Sequence, residues 1–431
     1  MSTETVVNKE TLNTNPDQLI TKSNWKTLWA SFLGYTLDAM DWQMLSFIIP
    51  LIMVYWGIST AQAGQLAMVT MFGAAIGGWV IGVLADKYGR VRLLMLTILL
   101  YSIFTGLSAL SQNLYQLMIF RFLVGLGLGA EWGLAQTLVS ESWPSKYRAR
   151  ASSFVHSGWT LGYGLAAILF ILIGASWGWR GMFLIGVLPA LLVVWVRKNV
   201  DESPLYLKLD ADRKKAEQHI LDDTATEKEK ELTKFPLSYI FSKDMLRITI
   251  PVLIFFLGDF ITYWGVWTWV PTMLMKERGL SIAGTGGFMI VTTIAGFLGA
   301  NVSGWLADRF GRKKTFVPFI LATAVVLHYF VQVKTTGMLL VMSGLLGFIL
   351  FGENVAKGTL CPELYPTFVR STAVNFLSNI GRFVAGFAPL YIGYVAPKYG
   401  IAATLSSFAF IYIIMAVMVI ILPEKKGVAL E

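Results

Sequence analysis

Eight ionisable residues stand inside otherwise apolar stretches of this 431-residue sequence, and they are the residues best placed to do chemistry. Asp38 and Asp41 lie three residues apart in GYTLDAMDWQMLSFIIP, a spacing that puts both carboxylates on about the same face of a helix. Glu131 follows Gly125, Gly127 and Gly129 in RFLVGLGLGAEWG, with Arg121 at the start of the same run. Asp259 falls in FFLGDFITYWGVWTWVP, Glu353 and Lys357 in FGENVAKG, and Arg382 in NIGRFVAGFAP. A charge facing lipid costs several kcal/mol, so each group needs a partner or a water-filled interior. The five acids exceed what the three bases can neutralise, so at least one acid is expected to carry a proton during part of a working cycle. The planar fork of an arginine near the membrane centre can hold a carboxylate in two hydrogen bonds. Proton loading and anion binding are the chemistry this set affords.

Spacing leaves several partners open. Arg121 and Glu131 are ten residues apart, about 15 Å along a helix axis, too far for a direct bridge. Arg121 either snorkels to the membrane surface or finds a partner of its own. Asp41 either takes part in function or pairs with a basic side chain at a local kink. Glu353 and Lys357 stand four residues apart, a step that suits an intrahelical ion pair. Arg382 either binds substrate or pairs with Asp259 or Glu353. His156, Ser157, Trp159, Thr160 and Tyr163 form a polar and aromatic stripe in SSFVHSGWTLGYGLAA. His156 has no Cys or acidic pair at ligand spacing, which makes it a poor metal site and leaves packing or hydrogen bonding. Trp264, Trp267 and Trp269 follow Asp259, and Trp269, near the outer end, fits an interfacial aromatic belt. No nucleophile and base lie at a recognisable spacing, so an enzyme is not expected. No phosphate-binding loop of the type G-x-x-x-x-G-K-[ST] occurs, so an ion gradient and not ATP is expected to supply the work, with no cofactor.

These residues need helices that cross a bilayer. The composition is 55% hydrophobic and 14% charged, with a mean hydropathy of +0.61, which describes a membrane protein and not a soluble domain. Apolar segments long enough to span about 30 Å recur about twelve times. Their expected limits are 26–53, 62–85, 92–111, 115–140, 151–173, 180–197, 246–275, 282–307, 314–333, 337–360, 371–396 and 402–422. The fold class is therefore all-α, with six helices in each half. The net charge of +9 suggests no nucleic-acid partner, because the basic residues collect in alternate loops, after the second, fourth, eighth and last helices. By the positive-inside rule the termini and the central loop are cytoplasmic. This divides the chain into a tail (1–25), a six-helix bundle (26–200), a charged linker (201–244), a second bundle (245–422) and a short tail (423–431). The polar first 24 residues lack the apolar core of a signal peptide, and the lone Cys361 excludes an internal disulfide.

The halves are copies of one unit. Glu131, Glu141, Pro144 and Arg148 return as Glu353, Glu363, Pro366 and Arg370, each at an offset of 222 (353 − 131 = 222). Asp259 aligns with Asp38, and Pro271 with Pro50, at an offset of 221. The loop GVLADKYGRVR after the second helix recurs as GWLADRFGRKK after the eighth, so Asp86 and Arg90 match Asp308 and Arg312. This duplicated loop is the recurring signature of the major facilitator superfamily, which the chain resembles over nearly its whole length. The pieces ESWPSKYRARASSF, ESPLYL, PELYPTFVRSTAVNF and NIGR look like the branch of sialate and monocarboxylate proton symporters, close to aromatic-acid and nicotinate carriers. The first helix departs from that branch, reading LDAMD where aspartate-glycine-phenylalanine-aspartate is common. The glycine-proline signature of the family's drug antiporters is absent from the fifth helix.

The resemblance implies a twelve-helix transporter of the cell membrane, acting by alternating access, with protons and a small organic anion as partners. It is expected to work as a monomer in the lipid bilayer. Arg382 would bind a carboxylate, with Asn379, Ser378, His156, Tyr163 and Trp264 as neighbours. Glu131 would carry the proton, with Asp38, Asp41, Asp259 and Glu353 as further candidates. Asp86, Arg90, Asp308, Arg312, Glu141, Arg148, Glu363 and Arg370 would belong to the gates. The acids leave open a carrier of an organic cation or neutral vitamin, and the fold leaves open a non-transporting sensor.

Overall fold

The structure, a computed structural model, describes residues 20–143, 145–202, 207, 211, 237–365 and 367–424. In the first half the helices are α1 (Lys22–Trp56), α2 (Thr60–Tyr88), α3 (Arg90–Ala109), α4 (Leu114–Ser142) and α5 (Ser145–Leu169), which runs on through a π-helical turn, Phe170–Gly174. The sixth crossing is made of α6 (Gly178–Ile185) and α7 (Pro189–Asn199). After a single turn at Leu237–Ile240, the second half holds α8 (Lys243–Lys276), α9 (Ile282–Phe310), α10 (Arg312–Phe330) and α11 (Thr336–Glu363). It ends with α12 (Thr367–Ala385), α13 (Phe387–Tyr399), α14 (Ile401–Ser407) and α15 (Ala409–Ile421). Taking α6–α7, α12–α13 and α14–α15 as one crossing each gives six per half. Ten of these spans are long and apolar enough to cross a membrane. The other two are α10, which opens on Arg312, Lys313 and Lys314, and the polar α12 with its continuation. The expected linker falls almost entirely outside the described residues.

The repeat is reproduced contact by contact. Ser59 and Ser281, 222 apart, cap α2 and α9 by accepting from the backbone N–H of Gln62 and Gly284. Gly89 and Gly311 join α2 to α3 and α9 to α10 at φ of 102° and 106°, a region that an L side chain enters only with strain. Within each half the second and fourth helices touch backbone to backbone. A Cβ on Gly77 would meet the carbonyl oxygen of Leu126, and one on Gly299 that of Phe348. Gly125 faces the carbonyl of Thr70 as Gly347 faces that of Thr292. These four glycines are two pairs at the same offset, and small residues here replace the hydrophobic driving force that a lipid solvent cannot supply.

The halves meet between the membrane middle and the side opposite the termini. There the Thr60 hydroxyl donates to the Gly393 carbonyl at 2.8 Å, and Gln65 donates to the Tyr394 hydroxyl at 3.3 Å. Gly286 of α9 lies against Ile171 and the Ala167 carbonyl of the first half. Tyr163 donates to the Met289 sulfur at 2.9 Å. Trp269 belongs to this buried zone and not to a lipid belt: it is fully buried, and its indole donates to the Pro389 carbonyl at 3.1 Å. An aromatic residue near a helix end is apolar enough for lipid or for protein, and here α13 covers it.

Candidate functional site

The ionisable residues sort into three groups at mid-membrane depth. In the first, Arg121 of α4 bridges Asp41 of α1 at 3.2 Å, with both side chains inaccessible. The second Asp41 oxygen accepts the Thr105 hydroxyl at 2.8 Å, and the Phe183 ring stands 5.4 Å from the guanidinium. Arg121 therefore does not snorkel, because α1 and α3 bring it a counter-charge inside the first half. Both oxygens of Asp41 are occupied, one by Arg121 and one by Thr105.

In the second group, Asp38 and Glu131 are buried, and Asp38 Oδ1 and Glu131 Oε1 have no hydrogen-bond partner among the described residues. Thr97 of α3 lies 3.0 Å from Glu131 Oε2 and 2.8 Å from the Leu94 carbonyl. A hydroxyl has one proton to give, so Thr97 shares it between the Leu94 carbonyl and Glu131 and satisfies the carboxyl only in part. The free oxygen of Glu131 occupies the space that a Cβ on Gly34 would take. Gly34 is one turn before Asp38 on α1, so the glycine admits the carboxyl to the Asp38 side.

Arg382 comes from the other half. Residues 379, 382 and 383 of α12 share one face, turned toward α2 and α4. Arg382 donates to the Gly129 carbonyl of α4 at 2.7 Å, and Asn379 lies where a Cβ on Gly78 would come within 2.8 Å of its amide oxygen. Phe383 stacks on Phe72 with centroids 4.8 Å apart. Arg382 is half-buried, its Nε has no partner, and no carboxylate stands at ion-pair distance from it among the described residues. It pairs with neither Asp259 nor Glu353.

The third group corrects the expected intrahelical pair. Lys357 bridges Asp259 of α8 at 2.6 Å, not Glu353 on its own helix. The long lysine stem crosses to the facing helix, leaving Glu353 Oε2 and Asp259 Oδ1 buried without partners among the described residues. Lys357 lies 5.0 Å from the Phe260 ring centroid and 5.6 Å from that of Tyr263.

Aromatic rings line the space between these groups. Tyr35 stacks on His156 with centroids 6.1 Å apart and packs on Trp159 at 5.4 Å. Trp159 donates its indole N–H to the Tyr263 hydroxyl at 2.6 Å, joining α5 to α8. Trp264 meets Trp42 at 4.5 Å, and around that contact a cavity of about 10 Å³, lined by Ser46 and Thr268 among others, leaves room for at most one water. This tryptophan pair is the roof of the site on the side away from the termini. His156 is exposed by surface area although it lies within the spanning part of α5, beside the buried Tyr35. Tyr163 is placed elsewhere, buried against Trp267 and Met289 in the contact between halves. Ser378 is buried on α12.

The gate candidates lie at the other end of the helices. Arg90 bridges Glu141 at 3.3 Å and donates to the Ala85 carbonyl at 2.8 Å. Glu202 accepts from the backbone N–H of Arg90 and Val91 at 2.9 and 3.1 Å, closing the positive end of α3. The second half repeats this, with Arg312 donating to the Ala307 carbonyl and Glu424 accepting from the N–H of Arg312 and Lys313, all at 3.0 Å. Glu202 and Glu424, 222 apart, thus cap the N-termini of α3 and α10 in matching positions. Spacing alone could have found them, since ESP and PEK follow the sixth and twelfth helices. The side chains of Asp86, Arg148, Asp308, Glu363 and Arg370 lie outside the described residues. Tyr365, buried at the second elbow, approaches Thr249 of α8 at 3.3 Å, and burial pushes its hydroxyl up to about 12, so it stays neutral at ordinary pH. Its counterpart Trp143 donates to the Asn24 carbonyl of α1 at 3.0 Å.

The Major Facilitator Superfamily model matches residues 31–352 and 291–430. A protein of Cupriavidus pinatubonensis described as a probable 4-methylmuconolactone transporter is 31% identical over 416 residues, covering 94% of this chain and 92% of that protein. The niacin transporter NiaP of Acinetobacter baylyi is 30% identical over 425 residues, covering 96% and 97%. Among solved structures, the inward-open xylose transporter XylE from E. coli superposes with a TM-score of 0.73 at 20% identity, covering 94% of this chain and 98% of that one. The chain belongs to the major facilitator superfamily, whose transporters share its twelve-helix fold.

Proposed function

We propose that this member of the major facilitator superfamily imports a small organic carboxylate together with protons. In this reading the two bundles, 26–200 and 245–422, rock about the site between them while the linker 201–244 joins them on the cytoplasmic side of the cell membrane. One observation carries the reading: Arg382 is half-buried at mid-membrane, holds only a main-chain carbonyl, and stands among acids with unbonded oxygens. A guanidinium so placed is poorly compensated, and an entering carboxylate supplies the missing counter-charge in the fork geometry that arginine favours. Asn379, Ser378, His156 and Trp264 shape the same space.

Protons would enter through Glu131 and Asp38. A proton on either carboxyl removes a negative charge close to the anion's seat, so loading the proton and binding the anion favour one another. Asp41 has a different role, as the fixed counter-charge of Arg121. Asp259 and Glu353 form the corresponding acids of the second half, with Lys357 already holding one of them. Two relatives are described as carriers of 4-methylmuconolactone and of niacin, and niacin is a small, flat carboxylic acid.

Reconstituted protein with an inside-alkaline pH gradient should accumulate a carboxylate that competes with other carboxylates and not with amines. Replacing Arg382 with Lys should abolish the uptake with folding retained. Uptake indifferent to the pH gradient, or undiminished in Arg382→Lys, would overturn the assignment.

A further inference from the structure

Lys357 is a second open donor in the same space, and nothing in the scheme above uses it. Its side chain is 22% exposed, and its ammonium spends one hydrogen bond on Asp259. It faces the rings of Phe260 and Tyr263, and Tyr263 is the residue that reaches across to Trp159 of the first half. Arg382 stands near the same Phe260 ring, with its Cζ 6.0 Å from the centroid. The two cations are therefore at most 11.0 Å apart (5.0 + 6.0 Å) and share one aromatic ring as neighbour.

Their charge states differ in a way that decides what each can hold. Arg382 has no carboxylate at ion-pair distance among the described residues, so its full charge is available to an anion. Lys357 is neutralised by Asp259 at 2.6 Å, so it offers N–H donors without net charge. A second carboxylate placed there would stand against Asp259 and beside Glu353, whereas a neutral acceptor meets only the donors. Taking about 2.8 Å for the hydrogen bond at each end leaves no more than roughly 4–5 Å between the two acceptor groups of a ligand that reaches both cations.

We propose that the substrate is held at two points: its carboxylate on Arg382, and an uncharged acceptor, a hydroxyl, carbonyl or ring nitrogen on the other edge of a flat ring, on Lys357. Asp259 balances the charge of that lysine, and its second oxygen can accept from a substrate hydroxyl. The inference rests on the carboxylate reading of Arg382 and names the class of carboxylate within it.

Binding of benzoate, 3-methylbenzoate, 3-hydroxybenzoate and isophthalate to the purified full-length protein tests it by calorimetry. The wild-type protein should bind 3-hydroxybenzoate at least about tenfold more tightly than 3-methylbenzoate, which has a similar shape and no acceptor, and isophthalate no better than benzoate. In the double variant Asp259→Asn/Lys357→Met, which removes both members of the ion pair together, the preference should fall to within about twofold. Lys357→Arg, which keeps donors, should retain part of it. A preference that survives in the double variant, or is missing from the wild type, overturns the second anchor. Those outcomes differ from failure of the carboxylate reading itself, in which benzoate either does not bind or binds equally well to Arg382→Gln.

Discussion

Arg121 and Arg382 are both arginines in the bilayer, yet their surroundings ask opposite things of them. Arg121 is sealed with Asp41, so removing one partner leaves a buried charge with nothing to answer it. Asp41→Asn should destabilise the protein by about 3–5 kcal/mol, whereas Asp41→Asn/Arg121→Met should recover much of that, as thermal unfolding in detergent would show. Equal losses in the single and double variants would mean that the pair is not the source of the effect. Arg382 spends one N–H on a main-chain carbonyl and faces no counter-ion among the described residues, so Arg382→Lys should leave unfolding nearly unchanged while weakening substrate binding by about 1.4–3 kcal/mol, tenfold or more. Glu131→Gln should remove accumulation driven by a pH gradient but retain counterflow exchange, because the amide fills the Gly34 notch without exchanging a proton. Accumulation at the wild-type level in that variant would exclude Glu131 as the carrier of the proton. The identity of these buried ions was legible from composition, since a charge in an apolar run stands out whatever surrounds it. Their partners were not, because helical spacing relates residues on one helix only: Glu353 and Lys357 have a suitable step, and Lys357 chooses Asp259 on another helix.

At the scale of the element, the second and fourth helices of each half are held at a distance that only hydrogen in place of a side chain permits. Gly299→Val would drive a Cβ into the carbonyl of Phe348, so it should destabilise the fold by about 1–3 kcal/mol, read as a lower unfolding temperature. Gly304→Val, five residues along the same helix with nothing within 4 Å of its Cβ position, is the matched control and should change little. Equal effects at both sites would point to helix propensity and not to the close approach. Helix limits were readable to within a few residues, because the bilayer sets a length and hydropathy measures it. Which way a residue near a helix end faces was not readable. Trp269 has the composition of an interfacial anchor, but α13, more than a hundred residues later, buries it. The glutamates that close α3 and α10, Glu202 and Glu424, were readable as a repeated pair, but what they bind was not, since each lies 112 residues from the arginine backbone it meets.

For the whole molecule, the duplicated frame and the asymmetric site answer to different constraints. Caps, glycine turns, backbone contacts and the arginine clusters at the helix ends recur at an offset of 222, which gives the two halves the same internal framework. Arg382 and Lys357 do not recur; their counterparts at that offset are Thr160 and Ala135. A carrier built this way can exchange contacts on one side for contacts on the other while its binding groups stay in place. The described contacts between halves lie from the middle of the membrane to the side away from the termini, so that side is the closed one. Thr60 and Gly393 touch there, the hydroxyl of one on the carbonyl of the other. A Cβ on Gly393 would run into the Thr60 carbonyl oxygen, so the link belongs at Gln65 and Tyr394, whose side chains meet at 3.3 Å. Cys at both of these positions should react with a short, cleavable bifunctional thiol reagent, since the only native cysteine, Cys361, is buried. If the halves must separate on that side in each cycle, linking Gln65→Cys/Tyr394→Cys should stop uptake and cleaving the link should restore it. Each single variant should be insensitive to the reagent. Full transport by the linked protein, with the link verified by mass spectrometry, would show that the substrate passes without those helices parting, and the rocking of one half against the other would have to be abandoned.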